Sequence, residues 1–147
     1  MDETGITEFI YRENARSVRG KKVIGFVRGK KYKRTNIVAA KRGNEIIAPL
    51  EYEGNTDHRL FEQWFVQMLL PLLLIDSVII LDNASFHRKK VLRALAEEAG
   101  MTIIFLPPYS PDLNPIEKFW AWLKRILKKI ISQFDSLSQA LVPCFQT

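Results

Sequence analysis

The stretch Leu106-Pro107-Pro108-Tyr109-Ser110-Pro111-Asp112-Leu113-Asn114-Pro115-Ile116-Glu117-Lys118-Phe119-Trp120 passes from a proline-rich loop into a helix and carries one acid just inside that helix. Asn114 suits the N-cap, Pro115 the first helical position, and Glu117 falls at the third. From there Ile116, Phe119, Trp120, Leu123, Leu127, Ile130 and Ile131 recur on one face of a long helix. The Asn-to-Glu spacing is that of a capping box, so Glu117 has a structural reading beside a chemical one.

Working upstream, Thr102–Leu106 reads as a short buried strand, and His87–Ala99 as a helix with Val91, Leu92, Leu95 and Ala99 inward and Gly100 as its terminator. Ser77–Leu81 is a continuous apolar run, the pattern of a strand buried on both faces. It delivers Asp82 and Asn83 at its C-terminal end, with 34 residues between Asp82 and Glu117. Asn55-Thr56-Asp57 offers capping oxygens to a helix whose Leu60, Phe61, Trp64, Phe65, Met68 and Leu69 have helical spacing, and Pro71 ends or kinks it. Tyr32–Ala40 and Glu45–Tyr52 read as strands joined by a turn at Arg42-Gly43-Asn44. Thr7–Tyr11 also holds β-formers, and Ser136–Leu141 reads as a short terminal helix. Hairpin, helix, strand, helix, strand, helix describes a mixed α/β layer, and ligands in such sheets gather at the carboxyl ends of strands. Asp82 occupies that place.

The 147 residues fit one domain, 47% of them apolar, which needs no disulfide staple. Cys144 is the only cysteine, so internal disulfides and a zinc cage are excluded and an intracellular protein is expected. Charges in the first twenty residues argue against a signal peptide, and Met68–Ile75 is too short to span a bilayer. The net charge is +6, and Arg16 to Arg42 holds 11 of the 22 Lys and Arg residues without one acid. A charge run is commonly a solvated face, but an unbroken sign favours a polyanion. Glycines at 20, 25 and 29 argue against an amphipathic membrane helix.

Two acids at the ends of buried elements in a basic chain fit a site for hard cations acting on phosphodiesters. Two such ions about 4 Å apart can clamp the attacking and leaving oxygens. Without metal the acids repel, so an empty site is expected to be looser. Asp82 has a weaker structural alternative than Glu117, because Asn83 and Ser85 stand closer to the next helix. His87 reads as a surface or supporting residue. A Ser85–His87 nucleophile pair lacks both geometry and an evident orienting acid. Trp64, Phe119 and Trp120 read as core, while Trp122 is expected to point elsewhere, onto a partner or DNA.

Leu81-Asp82-Asn83-Ala84-Ser85-Phe86-His87, together with Leu106–Trp120 and Leu123-Lys124, resembles the catalytic domain of mariner-like DDE transposases, most closely their prokaryotic insertion-sequence branch. Asp2-Glu3-Thr4-Gly5 resembles that family's first acidic motif, and the likeness covers nearly the whole chain. It implies a ribonuclease-H-like fold, a triad of Asp2, Asp82 and Glu117, and two bound Mg²⁺ or Mn²⁺ ions. It implies cut-and-paste transposition, in which a metal-activated water cuts the element ends and a freed 3′-hydroxyl attacks target DNA, typically at TA. Double-stranded DNA would be the partner, a homodimer the working form, and the cytoplasmic nucleoid the location. DNA phosphates would meet Arg16, Arg19, Lys21, Lys22, Arg28, Lys30, Lys31, Lys33, Arg34, Arg88 and Lys124. Family members also carry an N-terminal helix-turn-helix region and apolar residues before the first Asp, which these residues lack. A separate upstream polypeptide, decay of the element, or a shortened chain would each account for that. The alternatives to an active enzyme are a catalytically inactive remnant that binds DNA or an intact transposase, and a different ribonuclease-H-like nuclease.

Overall fold

A computed structural model describes residues 1–7 and 33–146. Its strands and helices follow in the order β1 (Asp2–Thr7), β2 (Arg34–Arg42), β3 (Glu45–Glu53), α1 (His58–Trp64), β4 (Val78–Leu81), α2 (Lys89–Glu98), β5 (Thr102–Phe105), α3 (Ile116–Ile130) and α4 (Leu137–Phe145). β1, β2 and β3 form an antiparallel sheet with β2 in the middle, and β4 pairs in parallel with β5. The two sheets meet at Met1, whose backbone nitrogen donates to the Ile80 carbonyl at 2.8 Å. Antiparallel and parallel strands with flanking helices make the mixed α/β architecture expected from the sequence.

β2 is the best-covered strand. Thr35 to Ala40 are all buried, because an apolar cluster lies on each side. On one side Val38 and Ala40 pack with Phe61, Trp64, Phe65, Leu81, Leu92 and Ile103. On the other, Ile37 and Ala39 pack with Ile6, Trp120, Leu123, Leu127 and Leu141. The β2–β3 hairpin turns at Gly43, whose φ of 59° suits a residue without Cβ. Opposite Ala39 the register slips, and Ala48 adopts a φ of 52° there, just before Pro49. The Ala48 carbonyl freed by this irregularity accepts from the Trp64 indole at 2.7 Å.

Several local expectations are corrected. β1 begins at Asp2, five residues before the β-formers pointed, because pairing with β2 from Asp2↔Ala39 to Thr7↔Arg34 makes a strand of a segment with little intrinsic preference. Glu8 to Tyr11 lie outside the described residues. β4 is not buried on both faces: Ile79 and Leu81 face the core while Val78 and Ile80 are 58% and 39% exposed. A two-stranded sheet packed on one side leaves its other face open. The helix capped by Asp57 through a 2.9 Å bond from Leu60 N continues as a π-turn over Phe65–Leu69 and a 3₁₀ turn at Leu70–Leu72 that includes Pro71. α2 starts at Lys89, later than expected, since His87 is used elsewhere. Trp122 does not point away; it packs against the second cluster, 5.5 Å from the Phe119 ring. α4 is capped by Ser136, whose hydroxyl accepts from Gln139 N, and it runs four residues further than expected. Among the described residues no helix is long and apolar enough to cross a membrane.

Candidate active site

Asp2, Asp82 and Glu117 come from β1, the end of β4 and the first turn of α3. The capping box that the Asn-to-Glu spacing allows at α3 does not form. Asn114 is buried and makes no side-chain cap; its amide donates instead to the Met1 carbonyl at 3.3 Å, across 113 residues. The helix start is closed by backbone, Glu117 N donating to Asn114 O at 3.1 Å. Glu117 is thereby released from capping, and Asn114 fixes the loop against the residue that precedes Asp2. A buried amide prefers a buried carbonyl to a solvent-facing cap, since an unmet buried polar group is costly.

Asp82 and Glu117 line one cleft of about 430 Å³ with Asn83, Ser85, Pro108 and Tyr109. Asp2 is buried, and its carboxyl hydrogen-bonds with that of Glu117. Burial, and then this bond, lift the Asp2 pKa from 3.8 to about 8, with Asp82 adding repulsion. Asp2 Oδ1 also accepts from Glu3 N at 2.8 Å.

Glu3 is a residue that sequence reasoning missed. Burial raises its pKa to about 8, with Asp2 and Asp82 contributing, and its Oε2 is enclosed without a partner among the described residues. The signal was the period of two in β1, which places residues 1, 3 and 5 on the face opposite Asp2. His87 was undervalued in the same way. It is buried, its Nε2 lies 3.0 Å from Asp82 Oδ1, and the orienting acid that seemed missing is Asp82 itself. Ser85 is exposed and forms no pair with it among the described bonds.

The donor set fits a hard divalent cation: carboxylates on three separate elements, two of them lining one cleft, and oxygen ligands only. Among the described residues, however, no three such side chains already stand close enough together to hold an ion.

Of the residues expected to meet DNA, Arg16, Arg19, Lys21, Lys22, Arg28, Lys30 and Lys31 lie outside the described residues. Lys33 pairs with Glu53 at 2.5 Å, and Arg34 lies over Gly5, where any Cβ would collide with its guanidinium. Arg88 forms a two-pronged pair with Glu62 of α1, at 2.7 and 2.5 Å, which holds Glu62 below the usual carboxylate range. Lys124 is half-buried on α3.

The family model described as DDE superfamily endonuclease matches residues 1–139. The fold is similar to that of the Mos1 transposase in its paired-end complex with the left transposon end, with a TM-score of 0.76 and 21% identity over 99% of this chain and 46% of that one. The chain is also 35% identical over 63 residues to the uncharacterized protein y4pE/y4sA of Sinorhizobium fredii (strain NBRC 101917 / NGR234), a match covering 42% of this chain and 44% of that protein. The chain thus spans less than half the length of either. With a ribonuclease-H-like fold and a family match running from the first strand into the last helix, the chain belongs to the DDE superfamily endonucleases.

Proposed function

We propose that this chain is the catalytic domain of a transposase, cutting DNA at transposon ends and joining the freed 3′-hydroxyl to target DNA. The observation that carries the reading is that Asp82 and Glu117, with 34 residues between them, line one cleft while Asp2 lies against Glu117. Asp2, Asp82 and Glu117 would hold two Mg²⁺ or Mn²⁺ ions. Bound there, the ions would supply the positive charge that activates an attacking oxygen and steadies a leaving one. The chain's own part is to bring three acids from separate elements to one place and to give up the Asp2 proton when cations arrive. The proline-bracketed loop at Pro107, Pro108 and Pro111 forms one wall of the cleft, with Tyr109 fully exposed at a φ of 56°.

Double-stranded DNA would be held through phosphates by the basic block from Arg16 to Arg34 and by Lys124, giving affinity that falls with salt and little sequence choice. Arg88 would have to exchange Glu62 for a phosphate to join them. Sequence choice would come from a helix-turn-helix region, and a homodimer would pair two ends in the nucleoid. All 147 residues act as one domain in this reading.

The test is Mg²⁺- or Mn²⁺-dependent nicking of DNA carrying element ends. Activity that disappears in Asp82→Ala and Glu117→Ala supports the reading. The second reading, an inactive remnant that binds DNA or an intact transposase, is favoured by one observation: no cation-ready cluster stands among the described residues. Binding without cutting, in both metals and with any upstream partner supplied, would select it.

A further inference from the structure

The segment between β4 and α2 contains a histidine held from three directions. The His87 side chain is fully enclosed. The Phe61 ring, from α1, lies 4.3 Å from it between centroids, tilted by 59°, and the neighbouring Phe86 ring lies 4.2 Å away at 53°. Phe61 is itself 1% exposed and packed against Trp64 and Phe65, so the clamp is part of the core and not a surface arrangement. The two nitrogens meet different surroundings. Nε2 is 3.0 Å from Asp82 Oδ1, while Nδ1 is enclosed with no hydrogen-bond partner among the described residues.

A neutral imidazole carries one N–H, and its place is set by what each nitrogen faces. A proton on Nδ1 would leave a buried donor unmet and set a bare Nε2 against a carboxylate oxygen. A proton on Nε2 makes a bond to a carboxylate, the stronger kind of hydrogen bond. The geometry points to His87 as a positioning residue: clamped between Phe61 and Phe86, it donates Nε2–H to Asp82 Oδ1, fixes the carboxylate, and leaves Oδ2 to meet a divalent cation. Partners that orient a metal ligand in this way commonly contribute 10- to 100-fold to affinity. Cation binding at Asp82 belongs to the function proposed above, and this inference rests on that reading; the tautomer and the His87–Asp82 bond do not.

The experiment pairs two measurements on the intact chain. The first is the ¹⁵N spectrum of the two histidines, His58 and His87, assigned by comparison with His87→Gln. Protonated Nε2, bare Nδ1, and an Nε2 signal that moves in Asp82→Ala support the inference. A proton on Nδ1, or a signal indifferent to Asp82→Ala, overturns it. The second is Mn²⁺ titration of folded wild type, His87→Phe and His87→Gln. Phe keeps the ring between its two neighbours but cannot donate, whereas the Gln amide can. A loss of about 10- to 100-fold in His87→Phe with partial recovery in His87→Gln supports positioning. Equal affinity in all three overturns it. If His87→Phe fails to fold, an unchanged affinity in His87→Asn, too short to reach the carboxylate from the clamp, overturns it and a weakened one supports it. If wild type binds no Mn²⁺ at all, the metal reading of the site falls together with the Oδ2 role, and the spectrum still decides whether His87 holds Asp82.

Discussion

The two sheets are built to different standards. In the β1–β2–β3 sheet, β2 is sealed from Thr35 to Ala40 by a cluster on each face. In the β4–β5 sheet, one face joins the core through Ile79, Leu81 and Ile103, while Val78, Ile80 and Ile104 are exposed on the other. Asp2 belongs to the first sheet, and Glu117 starts a helix packed on it; Asp82 ends a strand of the second. The candidate site thus straddles a sealed sheet and a half-covered one. The two share the apolar cluster in which Val38 and Ala40 of β2 meet Leu81 and Ile103, and at the edge of the site a polar bond, Met1 N to Ile80 O, joins them as well. Where packing does not fix an acid, hydrogen bonds must, which is how Asn114 and His87 come to be buried beside the carboxylates.

The largest test of this contrast is Trp120→Ala. Trp120 is 2% exposed in the cluster under β1 and β2, and its loss should lower unfolding free energy by about 3–5 kcal/mol in a denaturant titration. A change below 1 kcal/mol would mean that the sealed sheet is not what stabilises the fold. Next, Asn114→Ala should lower it by about 1–3 kcal/mol, because the Met1 carbonyl loses its buried donor. It should also weaken divalent-cation binding, as the loop leading into the helix of Glu117 comes away from β1.

Stability should also depend on pH. Asp2 and Glu3 both titrate near pH 8 when folded, against 3.8 and 4.5 ordinarily. The folded state therefore holds protons that the unfolded chain has already lost. Their contribution is fully present below about pH 4 and declines as pH rises to about 8, after which it is gone. Thermal melts of the metal-free protein should fall across that window. Asp2→Asn combined with Glu3→Gln should flatten the fall, and cation binding should release protons at pH 7. The smallest effect belongs to the open face: Val78→Thr should stay within about 0.5 kcal/mol, and a larger loss would show that this face is covered in solution.

Much of this was legible in the sequence, for reasons that can be named. α3 announced itself because Ile116, Trp120, Leu123 and Leu127 keep a strict helical period and are all buried. The hairpin was marked by Gly43, and the pairing of Asp82 with Glu117 followed from their positions at element ends. The errors came where long-range partners decide. Asn114 looked like a cap because a cap is local, whereas its partner is 113 residues away. β4 looked doubly buried because an apolar run does not tell which neighbours exist. β1 was missed because Asp-Glu-Thr-Gly-Ile-Thr gains its strand character from β2. His87 was undervalued because no spacing rule reveals two phenylalanines closing on it, one of them 26 residues upstream.

The widened turn at Phe65–Leu69 has an effect on phase. An ordinary helix shows one stripe to the core, yet here two adjacent pairs, Trp64 with Phe65 and Leu69 with Leu70, are all buried. Spreading one turn over five residues brings the second pair back beneath the first, five positions later in each case. The segment therefore contains, in effect, one surplus residue. Deleting exposed Gln67 would let the turn tighten to regular winding with Leu69 and Leu70 still beneath Trp64 and Phe65, four positions on, whereas regular winding with Gln67 kept would swing both leucines about a hundred degrees around the axis.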